Sequence, residues 1–318
     1  MSQVSGEDSG EDNHLKIRIA TRKSALALWQ AEHVADLLRQ TDGVDTVELV
    51  PLSTKGDEIL DRSLQKIGGK GLFIKELEIA MADGRADIAV HSMKDVPADM
   101  PEGFTIACVL KRANHADALV GGKTFDQLPE AALVGSSSLR RQAQLKMMRP
   151  DLRIEPLRGN VNTRLAKLEA GDYDAIILAA AGLERLGLDH HIAERFDPDQ
   201  MLPAAAQGVV GIECRDDRQD LLDLLQELND PVSSVTTSAE RAIAFRLQAN
   251  CQSPVASFAT VDGDSLTLTA LVASPDGSRS LKKTLTGSAQ DARGLGESLA
   301  EQLIEGGAMD ILAETVHA

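Results

Sequence analysis

Apolar and polar side chains alternate in His14-Leu15-Lys16-Ile17-Arg18-Ile19-Ala20, the period of a strand with one buried face. From about residue 24 to 39 the period lengthens to that of a helix. Thr21-Arg22-Lys23-Ser24 is therefore predicted to be a strand-to-helix turn, aiming free backbone N–H groups and the positive helix end at an anion. A strand over 47–50, a long loop, a helix over 72–83 and a strand ending at His91 complete a βαβαβ succession. The loop, through Lys55-Gly56-Asp57 and Lys66-Ile67-Gly68-Gly69-Lys70-Gly71, carries glycines that suit a flap approaching a ligand.

The same grammar then repeats. Ala132-Leu133-Val134 runs into Gly135-Ser136-Ser137-Ser138 and a helix carrying Arg140-Arg141, a second anion nest. A strand over 153–157 ends in Arg158-Gly159-Asn160, a helix covers 161–170, and Asp174-Ala175-Ile176-Ile177-Leu178 reads as a buried strand followed by a helix over 182–186. One more strand, 207–214, returns the chain to the first unit, so two α/β lobes are expected to face a cleft. Beyond helices over 219–228 and 235–247 the pattern turns antiparallel. Strands over 255–261, 266–273 and 281–286, joined through Asp262-Gly263 and Asp276-Gly277, and a helix over 292–305 predict a smaller C-terminal α+β domain with a three-stranded antiparallel sheet. The expected division is a disordered acidic tail over 1–13, a first lobe over 14–110 and 207–230, a second over 111–206, and the C-terminal domain over 231–318.

Composition narrows the function classes. The 318 residues are 43% hydrophobic and 26% charged, ordinary for a globular protein, with no apolar run long enough to span a membrane and an acidic start unlike an export signal. A cytoplasmic location is expected. The net charge of −16 argues against nucleic acid as a partner. Cys108, Cys214 and Cys251 are widely spaced, which suggests neither a disulfide framework nor a metal site. Cys108 and Cys214 sit in apolar strand patterns as small hydrophobes would, whereas Cys251 sits in the polar loop Ala249-Asn250-Cys251-Gln252-Ser253-Pro254.

The apolar run Ala86-Asp87-Ile88-Ala89-Val90 leads straight into His91-Ser92-Met93-Lys94-Asp95-Val96-Pro97. Asp95 thus stands beyond the carboxyl end of a buried strand, where ligands bind in open α/β sheets. Around it in the sequence are cations beside glycine-rich turns, a pocket for a small polyanion inside an acidic protein. His91 reads as structural. These residues alone leave open an enzyme, a two-lobed solute-binding module hinged near residues 110 and 205, and, more weakly, a cysteine-nucleophile hydrolase.

Five segments in order carry a resemblance: Ala20-Thr21-Arg22-Lys23-Ser24 through Leu28-Trp29-Gln30; Val90 to Pro97; Gly135-Ser136-Ser137-Ser138-Leu139-Arg140-Arg141; Leu157-Arg158-Gly159-Asn160-Val161; and the Cys251-Gln252 loop. From Ile17 onward the chain resembles the porphobilinogen deaminase (hydroxymethylbilane synthase) family. The resemblance implies two periplasmic-binding-protein-like α/β lobes, a C-terminal α+β domain, and a cytoplasmic transferase of tetrapyrrole and haem biosynthesis. Such an enzyme condenses four porphobilinogen molecules head to tail, with loss of ammonia, into hydroxymethylbilane. It implies a covalent dipyrromethane cofactor joined by a thioether to Cys251, Asp95 as the catalytic carboxylate, and no metal. Arg22, Ser24, Lys66, Lys70, Lys94, Ser136, Ser138, Arg140, Arg141, Arg158, Arg164 and Arg185 would hold the carboxylates of cofactor and substrate, a task suited to arginine's fork. A monomer with porphobilinogen as its small-molecule partner is implied, with no nucleic acid and no membrane. Ser136, where many members have threonine, and Ala249-Asn250, where glycines are expected, depart from the commoner pattern, as does Ser253.

Overall fold

A computed structural model describes residues 15–54 and 74–316. The expected acidic tail, the glycine-bearing loop with Lys66 and Lys70, and the start of the helix predicted over 72–83 lie outside the described residues.

The first sheet is built from β1 (Leu15–Arg22), β2 (Val44–Leu52), β3 (Ile88–Ser92), β4 (Phe104–Val109) and β10 (Val210–Arg215). Their order is β2-β1-β3-β10-β4. β1 runs parallel to β2 and β3, whereas β10 is antiparallel to both β3 and β4. The second sheet has the same plan, β7-β6-β8-β5-β9, from β5 (Asp117–Val120), β6 (Leu133–Gly135), β7 (Arg153–Glu155), β8 (Ala175–Ala179) and β9 (Ile192–Arg195). β5 plays the part of β10 there, antiparallel to its neighbours β8 and β9. Each sheet thus receives one strand directly after the chain crosses between lobes, by 110–116 outward and 204–209 back.

Burial explains why these strands form. Ile17, Ile19, Ile88, Val90 and Ile212 are sealed against α1 (Ala25–Leu38), and Ala175, Ile176, Ile177 and Leu178 are buried in the other lobe. Each such aliphatic side chain contributes roughly 1.5–3 kcal/mol when taken from water. The third sheet, β11 (Val255–Asp262), β12 (Ser265–Ala273) and β13 (Ser280–Ser288), is antiparallel. Helices over Pro231–Arg246 and Ala292–Glu305 cover one face, with Ile243, Leu268, Leu299 and Leu303 in the shared core.

The architecture expected from the sequence is present, with local corrections. β1 continues through Thr21 and Arg22, so the turn contracts to Lys23-Ser24, because both residues still pair with Pro51 and Leu52. β7 stops at Glu155, before Pro156, which has no N–H for a ladder. The first hairpin turns on Gly263-Asp264, with Asp262 paired to Ser265 and Gly263 at φ +57°. The helix expected over 235–247 starts at Pro231, because the Asp230 side chain accepts from Ser233 N at 2.7 Å and proline suits the first turn.

Candidate active site

β3 is buried along nearly its whole length and ends in a single 3₁₀ turn, Met93–Asp95. The turn is held from three sides. Ser92 Oγ accepts from Gln30 Nε2 at 2.8 Å, Met93 N donates to Val209 O at 3.0 Å, and the Met93 side chain fills space left by the missing side chain of Gly211 on β10. With Met93 pointing inward, Lys94 is left half-buried and Asp95 exposed. Burial pushes the Lys94 ammonium down to about 8; Asp95 opposes that shift, and Arg141 adds to it. A residue of the first lobe therefore feels arginines of the second. His91 is buried, with its Nε2 2.7 Å from the buried Glu213 carboxylate, a structural placement.

Across the cleft, β6 ends at Gly135, where an added Cβ would lie 2.9 Å from the Tyr173 ring. Ser136 is buried with its Oγ accepting from Ser138 N at 3.3 Å, and Ser138 stands at the N-cap of the helix Leu139–Met148. Arg140 and Arg141 turn inward. Arg140 Nη1 donates to Asp117 Oδ2 at 2.6 Å and Leu202 O at 2.8 Å; Arg141 Nε donates to Asp117 Oδ1 at 2.9 Å and its Nη1 to Ile177 O at 3.0 Å. Burial alone would raise Asp117, but the two guanidinium charges win and hold it well below the usual carboxylate range. Only 5% and 6% of Arg140 and Arg141 is exposed, so these arginines of the expected carboxylate-binding set are largely engaged in a buried clasp.

Arg158 follows Leu157, and Arg164 lies one helical turn into Val161–Glu169, donating from Nε to Gly159 O at 2.8 Å. Burial pushes the Arg164 guanidinium down to about 10; Arg141 and Arg158 lower it further while Asp95 raises it. Arg22 ends β1, and Ser24 caps α1 by accepting from Ala27 N. Arg185, from the second lobe, donates to Gly208 O at 2.8 Å and stacks over the Trp29 ring of the first at 5.6 Å.

The third domain adds the thiol. Cys251 is exposed in a turn fixed by Asn250, whose Oδ1 accepts from Gln252 N at 2.8 Å and whose N donates to Ser253 Oγ at 3.0 Å. Surrounding protein raises the Cys251 thiol pKa, Gln252 opposes the shift, and the charge of Asp95 raises it further. Cys108 and Cys214 are buried in the first sheet and pushed up to about 12 and about 11, chiefly by desolvation, so neither is a nucleophile near neutral pH. Asp95 thus acts electrostatically on Lys94, Arg141, Arg164 and Cys251, groups from all three domains. Among the described residues no cluster fit to hold a metal ion occurs.

Two residues that organise this site were missed in the sequence. Asp117 heads the apolar run Ala118-Leu119-Val120, and a carboxylate opening a buried strand must be paired, which was the available signal. Glu240 lies on the apolar stripe of its helix with Thr236, Ala239 and Ile243, and is fully buried. It accepts from Arg112 Nη1 at 2.6 Å, Ala206 N at 2.6 Å and Ala259 N at 2.8 Å, tying both crossing segments to the third domain.

The described residues thus set an exposed thiol, Cys251, and an exposed carboxylate, Asp95, in one molecule with second-lobe arginines that feel the Asp95 charge. Residues 17–223 match the porphobilinogen deaminase dipyromethane cofactor binding domain, and residues 235–305 match the porphobilinogen deaminase C-terminal domain. The chain belongs to the porphobilinogen deaminase family. It is a transferase of tetrapyrrole biosynthesis that condenses four porphobilinogen molecules into hydroxymethylbilane and uses a dipyrromethane cofactor. Solved structures with similarity include the Bordetella pertussis BvgS periplasmic VFT2 domain, at 15% identity over 71% of this chain and 90% of that one with a TM-score of 0.41. The methionine binding protein MetQ shows 14% identity over 68% and 90% with a TM-score of 0.44. A periplasmic substrate-binding protein of an ABC transporter from Coxiella burnetii shows 15% over 69% and 94% with a TM-score of 0.41. No helix among the described residues is long and apolar enough to cross a membrane.

Proposed function

We propose that Asp95 is the catalytic carboxylate and Cys251 the attachment point of the dipyrromethane, in a transferase of the hydroxymethylbilane synthase type. The observation that carries this reading is the exposure of Asp95 on the turn that ends buried β3 together with the exposure of Cys251, and the Asp95 charge acting on Cys251, Lys94, Arg141 and Arg164 supports it. The chemistry of the donor set fits the cofactor: the thiol of Cys251 is exposed, and Lys94, Arg141 and Arg164, which feel the Asp95 charge as Cys251 does, are cations of the kind that neutralise acetate and propionate groups. When bound, the dipyrromethane supplies the free pyrrole α-carbon to which the first porphobilinogen is joined.

Asp95 accepts hydrogen bonds from pyrrole N–H groups and stabilises the positive charge that develops on porphobilinogen as ammonia leaves its aminomethyl carbon. The new carbon–carbon bond forms at that carbon, and Asp95 helps carry away the α-proton displaced by it. Lys94, Arg22, Arg158, Arg164 and Arg185 hold carboxylates of the growing chain, and Arg141 adds its charge from within the clasp with Asp117. Ser24, Ser136 and Ser138 add hydroxyls at helix starts, and Arg140 fixes Asp117 and with it the orientation of Arg141. Lys66 and Lys70 are assigned to the same set on sequence alone. A cytoplasmic monomer without nucleic-acid partners is the matching cellular reading, supported by the net charge of −16.

Asp95→Asn tests the central assignment, because it keeps the side chain's shape and removes its charge. Turnover is expected to fall by about 100-fold or more while porphobilinogen still binds. Near-parental turnover contradicts the role.

A further inference from the structure

The turn bearing Asp95 runs into Val96-Pro97, where the chain leaves regular structure with two carbonyls to satisfy. Among the described residues no backbone N–H reaches either one. The partner comes from the third domain: Arg241 Nη1 donates to Val96 O at 2.9 Å and Nη2 to Pro97 O at 2.7 Å, one guanidinium fork across two successive carbonyls. No carboxylate of the described residues pairs with Arg241, and burial alone pushes it down to about 10. A guanidinium that surrenders its water without gaining an acid is costly to place, and these two carbonyls are what it gains. Its neighbour Glu240 anchors the same helix to both crossing segments, so the fork is held on a fixed base.

We propose that Arg241 is a positioning residue for the condensation: it locks the Asp95 turn of the first lobe to the domain that carries Cys251, setting where the carboxylate meets the pyrrole being joined. This rests on the assignment of Asp95 and Cys251 above. Small displacements of a catalytic group suffice to slow a reaction whose substrates still bind.

The test uses holoenzyme of Arg241→Met and Arg241→Lys, with Arg246→Met, an exposed position on the same helix, as control. kcat, KM for porphobilinogen, intact mass and melting temperature are measured for each. For Arg241→Met a fall in kcat of about 10- to 100-fold is expected, with KM within about threefold and the cofactor mass retained. Arg241→Lys should recover part of the loss only, since one ammonium cannot span both carbonyls in the fixed geometry of the fork. Parental kcat in Arg241→Met overturns the proposal, and so does loss of the cofactor mass, which would put Arg241 in attachment instead. Should Arg241→Met fail to accumulate folded, Arg241→Lys decides alone: reduced kcat at unchanged KM supports the proposal, and parental kcat overturns it. Asp95→Asn assayed in parallel separates the two readings. An inactive Asp95→Asn beside a parental Arg241→Met removes only the positioning role, whereas an active Asp95→Asn removes both.

Discussion

Lys94 sits beside the carboxylate it is expected to serve with, half-buried and within the field of Arg141, and its ammonium loses the proton near pH 8 in the open cleft. It is cationic below that pH and neutral above it. The contribution of Lys94 to affinity for substrate carboxylates is therefore nearly full at pH 7, half at about pH 8 and small at pH 9, so KM for porphobilinogen should rise about tenfold between pH 7 and 9. Lys94→Arg, which keeps its charge, should abolish that rise; an unchanged KM profile in the parent would contradict it. The stability term has the opposite sign. Because the unfolded chain keeps this proton up to the ordinary 10.5, the substrate-free protein gains stability from Lys94 as pH climbs from about 8. At this scale the sequence marked Asp95 past the end of a buried strand and Cys251 in a polar loop, both local signals, and both residues are exposed. It was silent about Arg140 and Arg141 as a clasp, because they lie on a helix, their partner Asp117 opens a strand 23 residues before Arg140, and only folding joins them.

Among the elements, β10 matters most to the chemistry, because Gly211 lies directly under Met93 in the Asp95 turn. A methyl group there would overlap the Met93 thioether, which is 1% exposed and has no space to retreat. Gly211→Ala should cost about 1–3 kcal/mol of stability by overpacking and lower kcat by displacing Lys94 and Asp95; denaturant titration and steady-state kinetics measure both. Parental values for each would show that the turn tolerates movement. The return strand was legible as an apolar run behind Gln207-Gly208. Its neighbour β4, its counterpart β5 and the edge strand β9 were not read from the sequence. The helix expected over 235–247 begins four residues earlier, at Pro231, where the Asp230 cap starts it ahead of its apolar face.

The whole molecule is two lobes joined by two crossings and gripped at that junction by the third domain. Gly208 makes the close approach possible, at φ +90° and where a Cβ would lie only 2.8 Å from Ala113 O. Glu240 closes the grip through Arg112 and Ala206. Glu240→Gln leaves the Arg112 charge buried without its counter-ion and should destabilise the protein by about 3–5 kcal/mol, seen as a lower melting temperature. A melting temperature within error of the parent would contradict the junction's role. The lobed plan followed from repeated strand-helix patterns, whereas the grip did not, since it joins residues far apart in sequence through one buried acid.

The account stands most directly on a covalent primer at Cys251, and intact mass measures it. The purified protein should exceed its polypeptide mass by two porphobilinogen units less two ammonia molecules, and Cys251→Ser should show the bare chain. A protein that keeps the bare polypeptide mass after reconstitution with porphobilinogen, or a Cys251→Ser variant that still carries the excess, would contradict it.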